Sequence, residues 1–348
     1  MKSFTINTIT NSKLILEIDG KVINSKELAV FIDGFVLPRD SIYNEYSKYS
    51  QNNLILELNK KYKEKFIEYI KGNFIIIIKE PVDFHLFTDH FGIKKFFYFH
   101  DNNKIIISNQ LKNITNNIDT TISNENIAIH ALLCHHICGT TIFKNIFSST
   151  SASYFHIFEN NFNINNYWSI SELYNLSREN INYADISKQI VTTIQRYLDY
   201  LKINKISLSL TGGNDTRIIL AALLKIGVNP HLYTYGNPNS YDSLVPQKIA
   251  STFNLEHETY DIKFDKSSFK QKANDIVIRG NSITSIHRAH RMESIKKESK
   301  FAKSMFLGTL GGEFIKGATI NDYIISNFVS MWWNNNVDKK KLILSTLN

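Results

Sequence analysis

An apolar run at Ile206–Leu210 leads into Thr211-Gly212-Gly213-Asn214-Asp215-Thr216-Arg217. The pattern is a buried strand entering a glycine turn, with a helix opening at about Asp215. Two glycines permit positive φ and let the backbone approach a ligand that a Cβ would exclude. The N–H groups of such a loop and of the helix N-terminus form an anion site. Thr211 and Thr216 add hydroxyl donors, and Asp215 adds a hard oxygen suited to Mg²⁺. Arg217 strengthens the reading. A cation in the first helical turn costs about 0.3–1 kcal/mol against the dipole unless an anion occupies the site. The run lacks the Gly-Lys-Ser/Thr end of a Walker loop and the three glycines of the dinucleotide fingerprint, which excludes both. A tight turn with Asp215 as N-cap accounts for the same residues without a ligand.

The elements that must carry this loop are legible around it. Ala184–Tyr200 has helical periodicity, Lys205–Leu210 reads as a strand and Asp215–Ile226 as an apolar helix. Asn229-Pro230 breaks that helix, His231–Tyr235 is the next strand, and Asp242–Phe253 is a further helix. This alternation predicts a doubly wound parallel sheet. The first 110 residues instead read as short strands. Phe4–Ile9, Lys13–Ile18, Phe74–Ile78, His85–Thr88, Lys95–Phe99 and Lys104–Ser108 are the candidates, and Asp33-Gly34 is a turn signal. Between Asn53 and Lys71 the apolar period of four predicts an amphipathic helix ending at Gly72. Asn113–Asn126 reads as a polar linker.

The chain has 348 residues, which at about 100–200 residues per domain predicts two domains. Its 43% hydrophobic and 21% charged residues exclude a disordered chain. No apolar run reaches the roughly 18 residues of a membrane span, and the N-terminus lacks the apolar core of a signal peptide. The net charge is +8, but lysines are dispersed among Asn and Ile, and no basic stripe interleaves with aromatics. A nucleic-acid partner is therefore not favoured. The only cysteines, Cys134 and Cys138, are too close in sequence for a useful disulfide, and the expectation is a reduced, cytoplasmic protein.

Thr211–Thr216 resembles the Ser-Gly-Gly-x-Asp-Ser pyrophosphate loop of the asparagine synthetases and their relatives in the ATP-pyrophosphatase superfamily. Further segments are similar in order: Tyr233–Gly236, Asp242, Lys248–Ala250, Asn254–His257, and a second phosphate loop at Gly308–Phe314. In the N-terminal half, Gly72–Phe74, Asp89–Lys94, Phe97-Tyr98 and Ser108–Lys112 look like the glutaminase-type domain fused ahead of these synthetases. Gly139–Ile146 and Asn166–Trp168 resemble the connector. The resemblance implies an N-terminal-nucleophile-hydrolase-like α/β sandwich over residues 1–118, a connector over 119–175, and a doubly wound nucleotide-binding domain over 176–348. It further implies an ATP-dependent ligase that activates a carboxylate as an acyl-adenylate, releases pyrophosphate and forms an amide with an amine donor. The carboxylate would be a small molecule, a peptide or a saccharide, with no membrane partner, and a homodimer is an assembly the resemblance allows. ATP would lie on Leu210, Thr211, Gly212, Gly213, Asn214, Asp215, Thr216, Tyr235 and Gly308, with Mg²⁺ on Asp215 and Glu313. Arg217 would stabilise charge on the leaving group.

Three departures qualify what the resemblance implies. A glutaminase of this type needs a cysteine next to the initiator Met, whereas this chain has Lys2, so glutamine hydrolysis is not expected. Gly312 stands where an acidic Mg²⁺ ligand belongs, which leaves Glu313 as a shifted ligand or as a solvated carboxylate. No residue maps onto the downstream lysine of the family, and the chain is expected to be a fragment or to lack part of the site. A non-catalytic paralogue that binds nucleotide as a scaffold is the alternative. Cys134-His135-His136-Ile137-Cys138 invites a zinc reading, but within one helix over Ile127–Cys138 the side chains diverge and core packing accounts for them. His287–Arg291 is a basic cluster that either meets a phosphate or forms a solvated helix face.

Overall fold

The computed structural model describes residues 3–9, 13–23, 28–101, 103–133, 135–158, 161–175, 182–261, 266–284 and 286–308. Compactness divides the chain into Met1–Arg178 and Glu179–Asn348.

The first unit begins with β1 (Phe4–Ile9), β2 (Lys13–Ile18), β3 (Lys21–Val22) and β4 (Ala29–Pro38). Helices α1 (Tyr43–Tyr46) and α2 (Gln51–Tyr62) follow, then a 3-10 segment at Lys63–Tyr69. Next come β5 (Ile70–Lys79), β6 (Asp83–Thr88), β7 (Phe97–His100), β8 (Ile105–Ser108), α3 (Leu111–Thr115) and α4 (Asn124–Leu133). The unit closes with β9 (Phe147–Ser148), β10 (Ser153–Phe158) and β11 (Asn161–Asn166). One antiparallel sheet has the order β3-β2-β1-β8-β7-β9 and the other β11-β10-β6-β5-β4.

The two sheets share one core. Phe4, Ile6, Leu16, Ile105 and Ile107 from the first meet Phe31, Ile75, Ile77, Leu86, Phe155 and Ile157 from the second. Alternation along β5 sends Ile76 and Ile78 to the opposite face, where they are also buried. Helix α2 packs on that side against β4 and buries Leu54, Ile55 and Leu58, and Phe66 meets Phe87 edge-on at 5.0 Å. A strand covered on both faces explains the unbroken Phe74–Ile78 run.

The second unit is α5 (Tyr183–Leu201), β12 (Ile206–Ser209), α6 (Asn214–Lys225), β13 (His231–Tyr235), α7 (Tyr241–Thr252), β14 (His257–Tyr260), α8 (Lys266–Arg279), α9 (Met292–Phe301) and β15 (Ser304–Phe306). All pairings are parallel, in the order β14-β13-β12-β15. Leu208, Leu210 and Leu232 form its core with Leu220 and Leu223 of α6 and Ile194 and Leu198 of α5. Strand order reverses between β12 and β15. That switch point is where ligands bind in open α/β sheets.

Several expectations need correction. The helix predicted to run to Gly72 stops at Tyr62, because Lys63 takes φ 52° and the chain continues as a 3-10 turn. That turn still buries Phe66 and Ile67, so the apolar period outlives the helix. Asp33-Gly34 is no turn but the middle of the ten-residue β4. Gly34 and Gly72 both have positive φ, and a Cβ on either would lie 2.0 or 2.2 Å from a carbonyl oxygen of the neighbouring strand. The linker reading of Asn113–Asn126 gives way to parts of α3 and α4. Residues 119–175, read as a connector, contribute β9, β10 and β11 to the two sheets. The helix expected over Ile127–Cys138 ends at Leu133; Cys138 has φ 50° and is an exposed free thiol, and Cys134 lies outside the described residues.

Candidate active site

Strand β12 leads into the fully buried Leu210, whose carbonyl accepts a hydrogen bond from Thr234 Oγ1 at 2.7 Å. Thr234 Oγ1 also lies 2.9 Å from His257 Nε2, so three strands fix the point where the loop departs. The loop then folds on itself. Thr211 N–H donates to Thr216 Oγ1 at 3.3 Å and Gly213 N–H to Thr211 Oγ1 at 3.1 Å. Gly212 N–H donates to the Asp242 carboxylate at 3.3 Å, so a carboxylate oxygen of α7 already faces this amide.

The N-cap of α6 is Gly213, at φ −75°, with no side-chain cap. Asp215 is therefore inside the first turn, not the cap. Neither Gly212 nor Gly213 has positive φ, so what restricts these positions is proximity, and a Cβ on Gly213 would meet only Thr211 Oγ1, at 3.3 Å. A Cβ on Gly212 would sit 2.8 Å from Tyr241 Cε1. At the end of β15, a Cβ on Gly308 would meet Thr216 N at 2.9 Å and Asp215 Cβ at 3.1 Å. The Thr211–Thr216 loop and Gly308 thus face one another across the switch point, 92 residues apart in sequence from Thr216 to Gly308.

Arg217 turns back onto its own loop. Its Nε donates to the Gly213 carbonyl at 3.2 Å and its terminal nitrogen to Asn214 Oδ1. Tyr235, at the end of β13, is covered by Arg291, whose guanidinium lies 5.1 Å from the ring centroid. Arg291 Nε is buried with no hydrogen-bond partner. The basic cluster at residues 286–291 forms a 3-10 segment whose Ala289 is fully buried. This brings Arg291 to the mouth of the site, a placement its sequence position alone does not signal. Glu313 and the remainder of the second phosphate loop lie outside the described residues.

The first unit holds a second polar centre. Asp33, 3% exposed, takes Lys94 Nζ at 3.1 Å and Asn109 Nδ2 at 3.1 Å. Asn109 Oδ1 in turn accepts the Phe4 N–H at 3.0 Å, which ties the first strand to the network. Asp89, fully buried, accepts the N–H groups of Phe91, Ile93 and Lys94 and so shapes the Asp89–Lys94 turn. Asp89 and Lys94 were legible as a motif; Asp33 was not, being hidden in an apparent turn signal. Among the described residues no helix is long and apolar enough to cross a membrane.

Comparison with curated proteins returns no match. Among solved structures, the chain is similar to an NMN synthetase from Francisella tularensis at 15% identity and TM-score 0.27, covering 35% of this chain and 52% of that one. A glutamine-dependent NAD⁺ synthetase from Acinetobacter baumannii, in complex with adenosine diphosphate, is similar at 13% identity and TM-score 0.29, covering 52% of this chain and 34% of that one. The chain thus spans about half and about a third of those two proteins. A glutamine phosphoribosylpyrophosphate amidotransferase from B. subtilis is similar at 8% identity and TM-score 0.31, covering 76% of this chain and 88% of that one. Over residues 10–168 the chain matches the family of glutamine amidotransferase domains.

Proposed function

We propose that this chain is an ATP-dependent, amide-forming ligase of the asparagine synthetase type, in which an amine donor and not glutamine supplies the nitrogen. In this reading its first unit is an N-terminal-nucleophile-hydrolase-like domain and its second a pyrophosphatase-type nucleotide domain. The observation that carries it is the apposition of an uncapped helix N-terminus, a glycine loop and Gly308 at the switch point of the parallel sheet.

The residues present fit a polyphosphate. The Gly212 amide already directs its proton at a carboxylate oxygen, and a Cβ on Gly308 would press on the backbone of Thr216. MgATP, when bound, supplies an α-phosphorus to which a substrate carboxylate adds as pyrophosphate leaves. Thr211, Gly212, Gly213, Asn214 and Thr216 hold phosphate oxygens through backbone N–H groups and hydroxyls. Asp215 would hold the cation, with Glu313 as the second ligand that the resemblance implies. Leu210, Tyr235 and Gly308 bound the adenosine. Arg217 braces the loop through the Gly213 carbonyl, while Arg291 brings positive charge that counters the negative charge developing on the leaving group.

A second reading, a nucleotide-binding scaffold without chemistry, is favoured by one observation. The amides of Thr211, Gly212 and Gly213 all have partners within the protein, so binding must displace them. Calorimetric titration of MgATP into the chain, beside Asp215→Asn, tests both. Micromolar, Mg²⁺-dependent binding lost in the variant supports a nucleotide site, and carboxylate-triggered pyrophosphate release supports the ligase. Binding without release by any carboxylate leaves the scaffold, and no binding by the folded chain rejects both.

A further inference from the structure

On the five-stranded sheet, β6 and β10 run antiparallel with His85 directly opposite His156. Asp83 lies two residues from His85 and therefore on the same face. The intervening Phe84, Leu86, Phe155 and Ile157 point the other way, into the core. Asp83, His85 and His156 each bring one donor atom within 4.8 Å of the others. The tightest pair is His156 Nε2 and Asp83 Oδ2 at 3.3 Å. Ligands held at about 2.0–2.2 Å in a tetrahedron stand roughly 3.3–3.6 Å apart, so this pair is already at coordinating separation and His85 needs only a side-chain adjustment.

Two further features mark the cluster. Asp83 Oδ1 is shielded from solvent and has no hydrogen-bond partner, a condition a cation would relieve. Tyr154 Oη lies 2.7 Å from His85 Nδ1, and the His85 and His156 rings stack with planes 4° apart, so one ring must turn for both in-plane lone pairs to reach a common ion. A hydroxyl on one ring nitrogen is the outer-shell contact that fixes the orientation and tautomer of a metal-ligating histidine. Two imidazoles and a carboxylate suit borderline ions such as zinc over Mg²⁺ or Ca²⁺.

We propose that Asp83, His85 and His156 bind one divalent transition-metal ion of the zinc class, leaving at least one coordination position to water. The ion clamps β6 to β10 on the face away from the core and is separate from the cation of the nucleotide site.

The test is titration of Co²⁺ into the metal-stripped full chain, followed by visible absorption and by displacement with Zn²⁺. One equivalent is expected, with the visible bands of a four- or five-coordinate site. His156→Gln and Asp83→Asn each weaken binding at least about tenfold, and Tyr154→Phe, which keeps all three ligands, weakens it about 10–100-fold. Asp215→Asn and His136→Gln leave it unchanged; the second controls for the other stacked histidine pair, His130 and His136, at 4.6 Å. Absence of stoichiometric binding by the folded wild-type chain overturns the proposal without recourse to variants. So does full binding by His156→Gln, verified as folded by circular dichroism, or loss of binding in His136→Gln.

Discussion

Replacing Gly308 and Gly212 by alanine separates what each glycine does. Neither has positive φ, so the cost of a methyl group is steric. At Gly308 the new Cβ would lie 2.8 Å from Thr216 Cγ2 and 2.9 Å from Thr216 N. A backbone nitrogen in the first turn of α6 cannot swing aside, so the end of β15 or the start of α6 must move. Overpacking of this kind costs about 1–3 kcal/mol. At Gly212 the obstacle is the Tyr241 ring, at 2.8 Å, and Tyr241 is 72% exposed and free to rotate outward. Its stability cost is within about 0.5 kcal/mol. Urea unfolding paired with MgATP calorimetry reads both quantities. Gly308→Ala is expected to lose stability and, by displacing the loop, at least about tenfold in affinity, equivalent to about 1.4 kcal/mol. Gly212→Ala is expected to keep its stability while losing affinity, because the methyl group stands where a phosphate must approach. Wild-type stability in Gly308→Ala would refute the close packing of β15 on α6. Equal destabilisation by both variants would refute the distinction between rigid and mobile obstacles.

Arg291→Ala should weaken MgATP about tenfold, or about 1.4 kcal/mol, while losing only the roughly 0.5–1 kcal/mol of its contact with Tyr235 from stability; Arg291→Lys should recover part of the affinity. Burial, reinforced by His130, Lys95 and His135, pushes His136 from 6.5 down to about 4. The unfolded chain then takes up its proton first as pH falls. Stability should be flat above pH 6.5, decline toward pH 4 and level below it, and His136→Gln should flatten that slope in urea midpoints measured across the range. Glu298 is fully buried and accepts the Tyr260 hydroxyl at 2.5 Å, with His231 Nδ1 3.3 Å away. Tyr260→Phe should cost about 1.5–3 kcal/mol, the worth of a hydrogen bond to a charged group, and an unchanged urea midpoint would show that His231 alone suffices.

The second unit was largely legible because strand and helix periods change sharply there: β13 was read to the residue, and β12, α6 and α7 to within a residue or so at each end. The glycine loop was legible from composition, but the reason for its glycines was not. Tyr241, whose ring crowds Gly212, is distant in sequence from the loop. Lys63 shows a different limit. Its left-handed conformation ends α2 inside an uninterrupted apolar period, so no breaker residue announces the stop. Strand β4 was missed because Asp33-Gly34 imitates a turn, while its glycine serves a close strand approach that only the pairing with β5 reveals. The Asp83, His85 and His156 cluster spans two strands that pair across a long separation, and no local motif encodes it.

The pairing of Ser207 with Met305 has a kinetic consequence. Strand β15 joins β12 only after the chain has passed through β13, β14 and four helices, so the contact closes a long loop. Such closures lose entropy before native contacts reward them, and non-local parallel pairing is slow. The loop at Thr211–Thr216 can form beside β13 alone, whereas Gly308 comes into place only with β15. The two halves of the pocket therefore meet only once the long loop has closed, and a ligand spanning them would stabilise the closed arrangement by mass action.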